Sequence, residues 1–154
     1  MKYIIFTVLV FSSFSWSMHH KNFNPIIFAI DFGVIEGKEE AAKNFTYKIA
    51  QKVRRTEPGT LAYEYYFSKD GKKMFLFEIY KNNKAAEFHV REFQGSKWEE
   101  EFFSYFELKN FTVLGNSKPP LKKILKDYTT DFRKMEAGFH KIKEKIKTNK
   151  ISLD

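Results

Sequence analysis

The stretch from Thr60 to Tyr80, TLAYEYYFSKDGKKMFLFEIY, most narrows what this chain can fold into. Leu61, Tyr63, Tyr65 and Phe67 alternate with Ala62, Glu64 and Tyr66, which is the period of a strand. Residues 69–73 form a turn centred on Asp70-Gly71, and MFLFEIY (74–80) runs back. An antiparallel hairpin therefore sits in mid-chain, and the rest must be built around it. Its second arm carries an anomaly. Glu78 shares a strand face with Met74, Leu76 and Tyr80, and an acid buried there has to be paired or protonated.

On either side of the hairpin the hydrophobic period changes. In residues 24–38 Ile26, Phe28, Ile30, Phe32 and Val34 share one face and Ile27, Ala29 and Asp31 the other, which predicts a strand ended by Gly37. Between 38 and 59, Ala42, Phe45, Ile49 and Val53 follow at steps of three and four, predicting an amphipathic helix. Glu39 and Glu40 in its first turn and Arg54 and Arg55 in its last suit the helix dipole, and Pro58 stops it. After the hairpin, Asn82 or Asn83 caps a helix through KAAEFHVREF. The segment QGS interrupts it, and Ser96 with Glu99 reads as a capping box for a restart that carries Trp98, Phe102 and Phe106 on one stripe. Residues 108–116 predict a further strand, Pro119-Pro120 a short helix, and 127–141 a final extended segment.

The order β-α-β-β-α-β is the split βαβ plan of ferredoxin-like folds, an α+β architecture with a four-stranded antiparallel sheet under two helices. Such a sheet has a second, uncovered face. Because both faces of the first strand are largely apolar, a homodimer packed sheet against sheet is expected. With 154 residues the chain suits one domain, and its 18 Phe supply ample core. The absence of cysteine excludes disulfides, thiol catalysis and thiolate metal sites. No metal-ligand spacing or glycine-rich phosphate loop is present either. The net charge of +8 is concentrated at one end: residues 118–154 hold 11 Lys and Arg against 5 Asp and Glu. The lysines of 142–154 lack interleaved aromatics, so this end reads as a solvated basic tail rather than a nucleic-acid site.

Residues 1–17, MKYIIFTVLVFSSFSWS, have a charged start, an apolar run and a serine-rich close, the order of a secretory signal. The apolar run is too short for a stable membrane span of about 20 residues. Export to the periplasm or the medium is expected if the signal is real, and a cytoplasmic protein otherwise. An uncleaved anchor and a true start at Met18 are the alternatives.

Pro58-Gly59 with Tyr63, then Glu78, Tyr80, Asn82, Ala85 and His89, resemble the hallmark of the antibiotic biosynthesis monooxygenase-like proteins, within the dimeric α+β barrel group. FTVLG (111–115) and AGFH (137–140) add to the likeness, which spans Pro25 to His140 and places the domain at 24–141. Tyr80 stands where the family often has tryptophan and Asn82 where it often has aspartate. VREFQGSKW follows His89 in place of a prompt second histidine, and the asparagine–tryptophan–histidine set of haem-degrading relatives is not matched.

The resemblance implies a monooxygenase that needs no cofactor and acts on a quinol or another electron-rich aromatic. Such a substrate, once deprotonated, passes an electron to dioxygen itself. On that reading His89 is the general base, Glu78 orients it or receives a substrate proton, Tyr63, Tyr65 and Tyr80 bind a phenolate, and Trp98 walls the pocket. The alternative is a non-catalytic ligand-binding or stress-related dimer of the same fold. In it Glu78 and His89 form a structural lock, the tyrosines are ordinary strand residues and Trp98 belongs to the core.

Overall fold

The structure, a computed structural model, describes residues 23–139. The expected export signal at 1–17, His140 and the basic tail at 142–154 lie outside the described residues. In chain order the elements are β1 (Ile26–Val34), α1 (Glu39–Thr56), β2 (Thr60–Phe67), β3 (Lys73–Tyr80), α2 (Asn83–Phe93), α3 (Lys97–Phe103), β4 (Phe106–Leu114), α4 (Pro119–Leu125) and β5 (Asp131–Arg133). The sheet order is β2-β3-β1-β4-β5. The first four strands have the ferredoxin-like arrangement with antiparallel pairing, so the expected α+β class holds. The sheet is open at both edges and does not close on itself.

Two details differ from the sequence reading, and one choice it left open is resolved. A fifth strand, β5, lies parallel to β4 and makes the sheet mixed. Among the described residues it is all that the extended segment expected over 127–141 contributes, because residues 127–130 turn back over the end of α4, with Tyr128 N–H and Thr129 N–H both donating to Leu125 O at 2.9 Å. Phe106 opens β4 instead of continuing the α3 stripe. The chain reverses at Ser104, where the helix carbonyls of Glu100, Glu101 and Phe102 accept its N–H. Phe106 nonetheless packs against Phe102, with ring centroids 4.6 Å apart, so spacing in the sequence reported the cluster correctly and the element wrongly. Of the two candidate caps of α2, Asn82 accepts from Ala85 N–H at 3.0 Å. Asn83 instead ties the helix to the β4–α4 loop, donating to Asn116 O and accepting from Lys118 N–H.

The core lies between the helices and one sheet face. Strand alternation sends Phe28, Ile30 and Phe32 of β1, Met74 and Leu76 of β3 and Phe111 and Val113 of β4 to that side. Ala42, Phe45, Ile49 and Val53, the predicted stripe of α1, cover it. The opposite face presents Ile27, Phe75, Phe77 and Ile79, each only partly buried, with Tyr66 exposed beside them. No helix among the described residues is long and apolar enough to cross a membrane.

Candidate functional site

Glu78 lies opposite Tyr63 on one side and Phe28 on the other in the strand register, so its carboxylate enters the core among aromatic rings. Only 2% of it is exposed. Tyr80 O–H donates to its Oε2 at 2.7 Å, and Oε1 stands 3.8 Å from Nε2 of His89. His89 comes from the buried face of α2, one turn beyond Ala85. The strand acid and the histidine that the family resemblance pointed to therefore meet in one interior.

A third residue completes the arrangement. Glu57 Oε2 stands 2.7 Å from His89 Nδ1, within hydrogen-bond distance, and the Glu57 carboxylate also meets Lys52 Nζ and Thr60 Oγ at 3.3 Å each. Local sequence explains its position. Glu57 caps the C-terminus of α1, Pro58 cannot continue the helix, and the Gly59 backbone settles against α2. A Cβ on Gly59 would lie 2.6 Å from that of Ala85. This close approach brings Glu57 level with His89. Sequence reasoning passed over Glu57 as part of a helix-ending turn. The available signal was its position, since an acid at the C-terminal end of a helix opposes the dipole and needs another reason to be there.

The charges of the three groups are coupled. Burial works against ionising Glu57, but the hydrogen bond and charge of His89, with help from Lys52, outweigh it and hold the carboxyl below its ordinary range. Burial would also lower the His89 pKa. The charge of Glu78 and the bond to Glu57 reverse that effect, so the imidazolium is favoured. For Glu78 burial wins over its neighbours and the carboxyl is pushed up. Burial above all pushes the phenols of Tyr63, Tyr65 and Tyr80 far up, keeping them neutral hydrogen-bond donors. Burial thus sets Glu78 apart from Glu57, whose carboxyl is shifted in the opposite direction.

Beside the trio is a hollow of about 60 Å³ bounded by Phe28, Leu76, Phe93, Phe102, Phe111 and Leu125, with Tyr63, Glu78, His89, Gln94 and Tyr128 as its polar members. Glu78, His89 and Tyr63 thus share one space. Tyr65 and Tyr80 do not line it: Tyr65 O–H donates to Tyr63 at 3.0 Å, and Tyr80 acts through Glu78. Trp98 lies elsewhere, against Phe45 with ring centroids 6.0 Å apart, in the core role that was its alternative.

The profile of the antibiotic biosynthesis monooxygenase family matches residues 25–101, half of the chain. This chain belongs to the antibiotic biosynthesis monooxygenase family. The matched part runs from β1 to α3 and includes Glu57, Glu78 and His89. No curated protein matches the sequence. Among solved structures, MupZ from Pseudomonas fluorescens is similar with a TM-score of 0.67 at 21% identity, over 75% of this chain and 93% of that one. A protein from Nitrosomonas europaea assigned to the antibiotic biosynthesis monooxygenases gives 0.52 at 24% identity, over 62% and 92%. A conserved Bacteroides thetaiotaomicron protein gives 0.53 at 16%, over 61% and 99%. At these identities the likeness is one of fold.

Proposed function

We propose that this member of the monooxygenase family oxidises a small electron-rich aromatic, a quinol or an anthrone-like ketone, with dioxygen and no cofactor. The observation that carries the reading is the fixed direction of the His89 ring. Glu57 occupies Nδ1, which leaves Nε2 towards Glu78 and the apolar hollow. Glu78, with its raised pKa, is the base and His89 the acid, which reverses the emphasis that the sequence suggested.

For a substrate of the form R2CH2 the steps balance as follows. Glu78 removes one C–H proton, and the carbanion adds to dioxygen to give a peroxide anion. The Nε2 proton of His89 passes to that anion, and the protonated Glu78 then restores it. Glu78 next removes the second C–H proton as the O–O bond breaks. A C=O bond forms, the departing hydroxide takes the Nε2 proton and leaves as water, and Glu78 returns its proton to Nε2. The sum is R2CH2 plus O2 giving R2CO plus H2O. Apolar walls favour the neutral peroxide and keep bulk water away.

A second copy of the chain covering the open sheet face belongs to the same proposal. The partly buried Ile27, Phe75, Phe77 and Ile79 support it, as does the family's dimeric α+β barrel architecture. Oxygen uptake with a panel of quinols and anthrones tests the chemistry. The wild type is expected to consume dioxygen with at least one of them, and Glu78→Gln to lose about 10²–10⁴-fold in rate. Binding without uptake by the wild type across the panel would overturn the oxygenase reading in favour of a ligand-binding dimer.

A further inference from the structure

The hollow is too small for the ring it would serve. A dry cavity of about 150 Å³ accommodates benzene, and this one measures about 60 Å³. Some wall must move, and the lining shows which. Phe28, Ile30, Leu76, Val90, Phe102, Phe111 and Leu125 are buried, whereas Phe93, Gln94, Leu108 and Tyr128, together with Tyr63 of β2, are partly exposed and so mark the mouth.

Phe93 and Leu108 stand within α2 and β4 and Gln94 caps the C-terminus of α2, whereas Tyr128 stands in the turn after α4, and its hydroxyl donates to Glu99 Oε1 on α3. The phenol thereby spans the gap between the α4 turn and α3. Glu99 is held in place in turn by Gly95 N–H, which donates to Oε2 at 2.6 Å. Gln94 completes the fastening: its side chain donates to Ile124 O at 3.1 Å and so ties α2 to the end of α4 that carries Tyr128.

We propose that Tyr128 closes the mouth of the hollow and sets the size of the ring it admits, with Glu99 and Gln94 as the fastening that holds it shut. The occupant is a planar aromatic carrying a hydroxyl or enolisable carbonyl, which rests on the preceding functional reading only for the chemistry that follows. Swinging the phenol out breaks one hydrogen bond to a part-exposed carboxylate and leaves the helices in place. The inner wall, by contrast, cannot yield without disturbing the core.

Phenol and 1-naphthol are the probes, with affinity followed by calorimetry and association by stopped flow, on the wild type, Tyr128→Phe, Tyr128→Ala and Glu99→Gln. Tyr128→Ala is expected to gain about tenfold in preference for 1-naphthol over phenol, the scale of a pocket that gains or loses a small apolar group. Tyr128→Phe and Glu99→Gln keep the ring but loosen the fastening, so 1-naphthol should associate faster with both than with the wild type. Melting curves matching the wild type identify the folded variants, and the two conservative changes carry the test should Tyr128→Ala not fold. An unchanged preference in folded Tyr128→Ala, unchanged association rates in both conservative variants, or no binding of either probe to any protein overturns the proposal. Oxygen uptake separates the two readings: gated binding with no uptake sinks the oxygenase alone, and uptake indifferent to all three variants sinks the gate alone.

Discussion

Removing the Glu57 side chain leaves the imidazolium of His89 without an anion in hydrogen-bond contact, and loss of one partner from a buried pair costs about 3–5 kcal/mol. Glu57→Ala is therefore expected to shift the urea midpoint by a large margin, while Glu107→Ala, which breaks a solvent-exposed pair with Lys109, leaves it almost unchanged. The same trio sets a pH dependence. Glu57 ionises more readily than its ordinary value of 4.5, so its contribution is present above that value and is lost in stronger acid. His89 titrates above its ordinary 6.5, so its contribution is complete below that pH and disappears as pH rises through the higher folded value. Glu78 titrates above 4.5, and its preference for the protonated form also fades as pH rises through its raised value. Urea midpoints should accordingly fall between about pH 6 and pH 9, and His89→Gln should flatten that decline. Glu78 was legible in the sequence because it interrupts an apolar strand face, and His89 through the resemblance to the family. Glu57 was not, because its partner lies 32 residues away and no hydrophobic period encodes a contact across that distance.

At the scale of elements, the turn from α1 into β2 positions the site, and its tolerance is set by Gly59. A methyl group there meets Ala85 Cβ at 2.6 Å, so Gly59→Ala overpacks the contact and should cost about 1–3 kcal/mol. It should also push Glu57 away from His89 and reduce activity. Adding Ala85→Gly returns the space, and the double variant should be less destabilised than the sum of the single changes in urea unfolding. The strands, the hairpin and the buried stripe of α1 could be read because period two and period 3.6 persist over eight residues or more. The passage from α3 to β4 could not. Trp98, Phe102 and Phe106 keep a spacing of four straight through a chain reversal, and the reversal depends on backbone hydrogen bonds at Ser104 that side-chain pattern does not record. β5 escaped for a different reason: three residues that pair with β4 in tertiary contact are too few to show a period.

For the whole molecule, the open sheet face is where the proposed second copy would pack. Phe75 and Phe77 are stacked there with ring centroids 6.5 Å apart, and Tyr66 lies the same distance from Phe75. A lysine in the middle of that face faces desolvation if a second copy covers it. In sizing with light scattering the wild type is expected to run as a dimer and Phe77→Lys as a monomer. A wild type that remains monomeric at micromolar concentration refutes the paired sheet. The family match ends at residue 101, inside α3, while the phenol at the mouth comes from residue 128. The proposed trio thus lies wholly within the matched stretch, whereas the proposed doorway joins Tyr128, from beyond it, to Glu99 and Gln94 within it. A change at Tyr128 alone would therefore alter what enters while every proton-handling group stays as it is.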